Sequence, residues 1–237
     1  MTAILGYTFS KETTMKRIIL LSILLCTSKI ATHAQVDEDN LGAWYMYFWN
    51  TSLNDSKLGL QGDVQLRNWS VASDLEQLLL RGGLTYQATE DALLTAGYAH
   101  ITTGTYGDSD VTSTESRIYQ EALLSHTVSN SVKLRHRFRY EQRWVDGQDF
   151  RTRYRYNLFL TIPLSSQVYL SFYNELFVNG QKDIGDGRSV QLFDRNRLYG
   201  AVGYKLSAKH NIQLGMMRQT TNTWTKQQLQ FSLHSNW

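Results

Sequence analysis

The chain has 237 residues with one cysteine, one proline and a formal net charge of +3. So slight a basic excess is no footprint for nucleic acid, and a single cysteine leaves neither a disulfide framework nor a thiolate metal site. No run approaches the about 20 apolar residues that a spanning helix needs, which excludes a helical membrane protein.

Residues 1–14 carry no export logic and read as an over-extended start, with Met15 as the expected initiator. From there Met15-Lys16-Arg17 gives a basic head, residues 18–26 an apolar centre, and Thr32 and Ala34 a small-x-small site. The pattern predicts a signal peptide over 15–34, cleaved after Ala34. Cys26 lies inside that signal, and Leu25 before it is too large for a lipidation site. The mature chain, 35–237, is then a single exported domain without cysteine chemistry.

From Leu41 onward the sequence breaks into segments of about 10 to 14 residues with period-two alternation, separated by stretches rich in Gly, Asn, Asp, Ser and Thr. Strands are expected near 41–50, 57–69, 75–87, 92–102, 116–128, 131–144, 150–162, 167–178, 194–206, 210–219 and 226–237. Pro163 falls at a strand end, where its missing N–H costs no ladder bond. Short connections at 88–91, 129–130, 163–166 and 207–209 alternate with longer ones at 103–115, 145–149, 179–193 and 220–225. Short turns on one side and long loops on the other predict an all-β, antiparallel, up-and-down transmembrane barrel of the outer membrane. Single-chain bacterial barrels have even strand numbers. The count is therefore expected to resolve to ten or twelve, with the segment 41–50 split or docked differently, or the boundaries near 50–75 moved.

In the second segment Leu58, Leu60, Gly62, Val64 and Leu66 alternate with Gly59, Gln61, Asp63, Gln65 and Arg67, giving one dry and one wet face. A soluble sandwich would show the same alternation. The segment 133–144 discriminates better, because Lys133, Arg135, Arg137, Arg139, Glu141 and Arg143 share one face, continued by Arg151, Arg153 and Arg155. An arginine on the lipid side costs roughly 2–4 kcal/mol at mid-bilayer, so this stripe is expected to line the interior. Glu121 and Glu175 on the flanking strands, with Glu141 and Asp63, are the expected counter-charges. Trp44, Trp49, Trp69, Tyr98, Tyr140, Trp144, Tyr169, Tyr204 and Trp237 sit mostly near segment ends, where interfacial girdles form.

The last segment would turn Leu229, Phe231, Leu233, Ser235 and Trp237 outward. An alternating strand ending on an aromatic resembles the insertion signal that barrel-assembly machinery reads, with Ser235 departing from the apolar pattern.

Several pieces together resemble the domain of unknown function 2490 family, an uncharacterised barrel family of Bacteroidetes-type bacteria. They are Gly42-Ala43-Trp44, Arg81-Gly82-Gly83-Leu84-Thr85-Tyr86, Ala96-Gly97-Tyr98, residues 115–120 and 136–143, Tyr173-Asn174-Glu175-Leu176-Phe177, and residues 193–199. The last two are the more specific. The resemblance implies an outer-membrane location and carries no assigned activity.

Chemistry is sparse. His100, His126, His136 and His234 sit in no recognisable serine–histidine motif, and no metal-ligand spacing occurs. Asp108-Ser109-Asp110 and residues 183–186 read as solvated loop acids. No catalytic, cofactor or metal residue is expected, and the chain reads as no enzyme. The expected partners are outer-membrane lipid and the assembly machinery, with no nucleic acid. The leading expectation is a structural or interaction barrel with an ion-paired Arg/Glu lumen. A narrow anion-preferring passage for a small anionic solute is the alternative, and a membrane-embedded lipid-modifying enzyme the second. Arginines outnumber the glutamates placed beside them, so an excess of interior positive charge is expected.

Overall fold

A computed structural model describes residues 39–237 apart from Asp55, Asn130 and Ser131. The signal expected over 15–34 and the suspected over-extended start at 1–14 lie outside the described residues. The chain forms β1 (Gly42–Ser52), β2 (Leu58–Asn68), β3 (Leu75–Thr89), β4 (Ala92–Thr105), β5 (Asp108–Thr127) and β6 (Lys133–Val145). It continues through β7 (Arg151–Pro163), β8 (Val168–Asn179), β9 (Phe193–Lys205), β10 (His210–Thr220) and β11 (Thr225–Asn236).

Each strand pairs antiparallel with the next, and β11 returns to β1 to close the barrel. The all-β, up-and-down barrel is as expected and only the even count is corrected: among the described residues the closed barrel has eleven strands, and the first segment is neither split nor docked elsewhere. In an up-and-down meander an odd count makes the first and last strands run the same way, so the only available closure is parallel. The register runs from Gly42 opposite Gln228 to Asn50 opposite Asn236. Parallel ladders are slightly weaker per residue than antiparallel ones, and side chains reinforce this one on both faces. Tyr45 stacks on Phe231 outside, with centroids 5.6 Å apart, and Phe48 on His234 inside, at 4.8 Å.

Consequently the chain enters and leaves the barrel at opposite ends. The connections 53–57, 90–91, 128–132, 164–167 and 206–209 share an end with the last residues of β11, called the C-terminal end below. The connections 69–74, 106–107, 146–150, 180–192 and 221–224 lie at the opposite end with the start of β1.

The expected loop at 103–115 is mostly strand. Its Ser/Thr composition reads as loop, yet Val111, Thr112 and Thr114 are β-branched and suit an extended backbone. β4 and β5 therefore run on to a tight turn at Tyr106-Gly107, where Gly107 takes a φ of +74° and its N–H donates to Asp74 at 3.0 Å. The loop expected at 179–193 stays a loop over 180–192 but is anchored. Asp183 bridges to Ser189, Ile184 is buried, and the Asp149 N–H donates to the Ile184 carbonyl at 3.0 Å. Beside it Asp146 accepts from the Thr114 N–H at 2.8 Å and hydroxyl at 2.6 Å, and these bonds hold its carboxyl below the usual carboxylate range.

Inside, large rings lie over glycines on neighbouring strands. A Cβ on Gly203 would meet the Tyr169 ring at 2.1 Å, and one on Gly97 the Tyr119 ring at 2.5 Å. Gly203→Ala is expected to cost about 1–3 kcal/mol by overpacking, read as a lower midpoint in urea unfolding of the folded barrel. An unchanged midpoint would mean that Tyr169 moves aside freely.

Candidate functional site

Alternation on β5 to β8 aims the charged residues into the lumen, and the closed sheet brings them together. Glu141 sits on β6 directly opposite Arg153 of β7 and is wholly buried, at 0% exposure. Its Oε2 accepts from Arg153 at 2.7 Å, while its Oε1 accepts from Arg155 at 2.7 Å and Arg117 at 3.3 Å. Arg139 lies 3.9 Å away. Glu175 on β8 receives Arg155 at 2.5 Å and Arg137 at 2.7 Å, and Glu121 on β5 receives Arg139 at 2.5 Å. Glu115 grips Arg143 through both carboxylate oxygens, at 2.6 and 2.8 Å, and meets Arg117 at 2.7 Å. Asp63 pairs with Arg81 at 2.7 Å.

Rings are interleaved with these charges. The guanidinium of Arg67 lies 4.0 Å from the Trp44 ring centroid, Arg155 4.3 Å from Phe177 and Arg139 4.6 Å from Tyr119. Cations over aromatic faces gain most when desolvated, so the rings supplement the limited supply of carboxylates.

Two acids reach the lumen through irregularities. Arg67 pairs with Gln77 and Asn68 with Leu75, leaving Glu76 as the extra residue of a bulge. Glu76 turns inward and accepts from Trp44 Nε1 at 2.9 Å and Gln228 at 3.0 Å. In the same way Phe177 pairs with Arg195 and Val178 with Phe193, so Asp194 is extra and receives Arg153 at 2.8 Å. Bulges re-aim side chains against the alternation.

Of the stripe read from sequence, Arg137, Arg139, Glu141, Arg143, Arg153 and Arg155 join this network with Glu121 and Glu175. Arg135 and Arg151 do not: neither lies within ion-pair distance of a carboxylate among the described residues. Alternation missed Glu76 and Asp194 because they are bulged. Glu115, Arg117, Arg67, Arg81 and Arg197 stand on inward positions and were open to the same argument that found the stripe.

The lumen is not filled. A cavity of about 710 Å³ runs from Ser56, Lys57, Arg135, Arg137, Phe159 and His234 at the C-terminal end down to Trp44, Arg67 and Arg143. Toward the opposite end Glu76, Gln219, Lys226 and Gln228 are buried and form a floor outside the cavity lining. Above that floor Trp69 packs edge-on against Tyr106 and Trp224, with the Lys226 ammonium 5.9 Å from the Trp69 ring.

The outer wall carries Leu58, Val64, Leu80, Leu94, Ile118, Phe138, Tyr154, Leu176, Leu198, Leu214 and Phe231, all exposed. Phe231, Leu233 and Trp237 of the terminal strand are exposed there and Leu229 is half-buried, while Ser235 is tucked against His210 at 2.9 Å. His126 and His136 stack outside at 5.1 Å, and the His136 ring hydrogen-bonds the Tyr156 hydroxyl at 2.8 Å. In the lumen Ser232 Oγ lies 2.9 Å from His234 Nε2, but among the described residues no carboxylate hydrogen-bonds the other ring nitrogen. This pair lacks the orienting member of a triad. Among the described residues no group of three or more His, Cys, Asp or Glu is placed to hold a metal ion.

Two comparisons with known proteins bear on this barrel. The family model described as "Protein of unknown function (DUF2490)" matches residues 41–230, from the start of β1 into β11. An uncharacterized protein of Methylorubrum extorquens is similar at 29% identity over 213 residues, covering 87% of this chain and 90% of the relative.

Proposed function

This chain belongs to the family described as "Protein of unknown function (DUF2490)", and from that premise we propose that it is an exported outer-membrane barrel with a structural or interaction role, its lumen locked by arginine–carboxylate pairs. One observation carries the reading: the wall is inverted relative to a soluble protein. Every strand exposes a large apolar or aromatic side chain outside, while the buried interior is dominated by arginine, glutamate and glutamine. Soluble monomers rarely expose contiguous apolar patches beyond a few hundred Å², and here the patch runs around the whole barrel. The shortest strands have 11 residues, long enough for the 9–11 that a membrane-crossing strand needs.

On this reading the C-terminal end, with its mostly short turns, faces the periplasm, and outer-membrane lipid surrounds the wall. Leu229, Phe231, Leu233 and Trp237 form the segment that the assembly machinery recognises. The barrel performs no catalysis.

Fractionation is expected to recover the protein in the outer membrane, with a mass beginning near Gln35. In planar bilayers the refolded protein is expected to show no stepwise conductance, because eleven strands enclose far less space than the 16–18 of open porins and the buried floor blocks the remainder. Regular anion-selective steps would favour the narrow-passage alternative, and recovery in the soluble periplasm would overturn the membrane reading.

A further inference from the structure

Near the C-terminal end the wall of the cavity is electrostatically unlike its deeper part, which Arg117, Arg139, Arg153, Arg155 and Glu121 line. Deeper carboxylates are committed to deeper arginines: Glu141 to Arg117, Arg153 and Arg155, and Glu121 to Arg139. On the cavity wall Arg135 and Arg137 flank one ring, their guanidiniums 5.1 and 5.2 Å from the Phe159 centroid. Arg135 is exposed to the cavity and has no carboxylate partner among the described residues. Arg137 reaches Glu175 with one nitrogen, yet its buried Nε has no hydrogen-bond partner and stands 3.7 Å from Glu121. Asn157 lies directly opposite Arg137, and its buried Oδ1 is likewise without a partner. Phe48, stacked on His234, supplies a second aromatic surface in the same cavity.

We propose that this cavity is a blind binding pocket for a small organic anion, a carboxylate or phosphate ester with a flat apolar body. The anionic group sits on Arg135 and Arg137, and the apolar body lies against Phe159 and Phe48. A volume of about 710 Å³ falls within the range of roughly 300–1,000 Å³ typical of small-molecule sites, which combine apolar walls with a few placed polar groups. Guanidiniums suit such a ligand because their fork of donors matches carboxylate and phosphate oxygens. The ligand enters from the C-terminal end. The pocket rests on the locked-lumen reading, since a through-channel would let the solute pass.

Calorimetric titration of the refolded, detergent-solubilised barrel tests this with benzoate, phenyl phosphate, inorganic phosphate and benzyl alcohol. At least one of the two aromatic anions is expected to bind, with inorganic phosphate and benzyl alcohol at least tenfold weaker. A higher affinity for benzoate or for phenyl phosphate assigns the anionic group. Arg135→Gln/Arg137→Gln is expected to weaken binding about tenfold or more, with Arg188→Gln at the opposite end unchanged. Phe159→Leu, which keeps the charges, should weaken the aromatic anions but not phosphate, and it guards against misfolding of the arginine variant. Absence of aromatic-anion binding, or equal binding by Arg135→Gln/Arg137→Gln, overturns the pocket. Equal affinity for phosphate and phenyl phosphate overturns its apolar half. Conductance recordings on the same preparation separate the two readings. Steps in the trace overturn the locked lumen and the pocket with it, whereas a silent barrel that binds no aromatic anion overturns the pocket alone.

Discussion

Glu141→Gln is expected to destabilise the barrel by about 3–5 kcal/mol, the usual cost of leaving buried charge uncompensated. The substitution keeps the shape but removes the charge that Arg117, Arg153 and Arg155 share and replaces one accepting oxygen with a donating NH2 group. Each retains a second carboxylate, Glu115, Asp194 and Glu175 respectively, so the barrel should still form. Urea unfolding of the refolded protein, followed by tryptophan fluorescence, measures the loss, and mobility of the unboiled protein in SDS gels reports closure. The double variant Glu141→Gln/Arg117→Gln should recover part of the loss, because it removes one of the cations left with less counter-charge. By contrast Arg188→Gln, at an exposed pair with side chains 49% and 86% accessible, should cost no more than about 1 kcal/mol. A Glu141→Gln barrel as stable as the parent would mean that water or counter-ions, and not this carboxylate, neutralise the lumen.

On the outer wall the expected result is just as large. Leu214 lies at the middle of β10, exposed and directly opposite Val202 of β9. In a bilayer Leu214→Arg should cost about 2–4 kcal/mol, and the same change near a strand end about 0–1 kcal/mol. A water-exposed wall would register neither. Unfolding in lipid vesicles decides between them, and a depth-independent, near-zero cost would remove the membrane from the account.

Much of this was legible because the two faces of each strand differ so sharply. Leu58 to Arg67 and Lys133 to Trp144 alternate without interruption, so strand positions and lumenal arginines follow from parity alone. The same parity failed at Glu76 and Asp194, since a bulge adds one residue and turns an outward position inward. It is no accident of reading that both are acids. They deliver negative charge to an interior rich in arginine, using positions that the regular pattern would turn outward. The long β4–β5 hairpin was hidden by composition, because threonine serves loops and strands alike. The parity of the whole barrel was hidden by a rule about other barrels, although the segments themselves counted eleven. Arg135 read like any other member of the stripe. That it keeps an uncommitted charge follows from where Glu121 and Glu175 direct their oxygens, which only the closed arrangement fixes.

The parallel seam has a further consequence for circular permutation. In an even-stranded barrel both termini lie at one end, and a short linker joins them. Here a linker from Trp237 to Gly42 must travel the length of the ladder, about 30 Å at about 3.3 Å per residue. If the wall lies in a bilayer as proposed, a linker outside it would cross hydrocarbon, where a peptide survives only with its N–H and C=O groups paired. The linker that succeeds would therefore slot between β1 and β11 as an extra strand, antiparallel to both. Joining the ends would turn an odd barrel into an even one of twelve, and its new termini, wherever the chain is cut at a turn, would emerge on the same side.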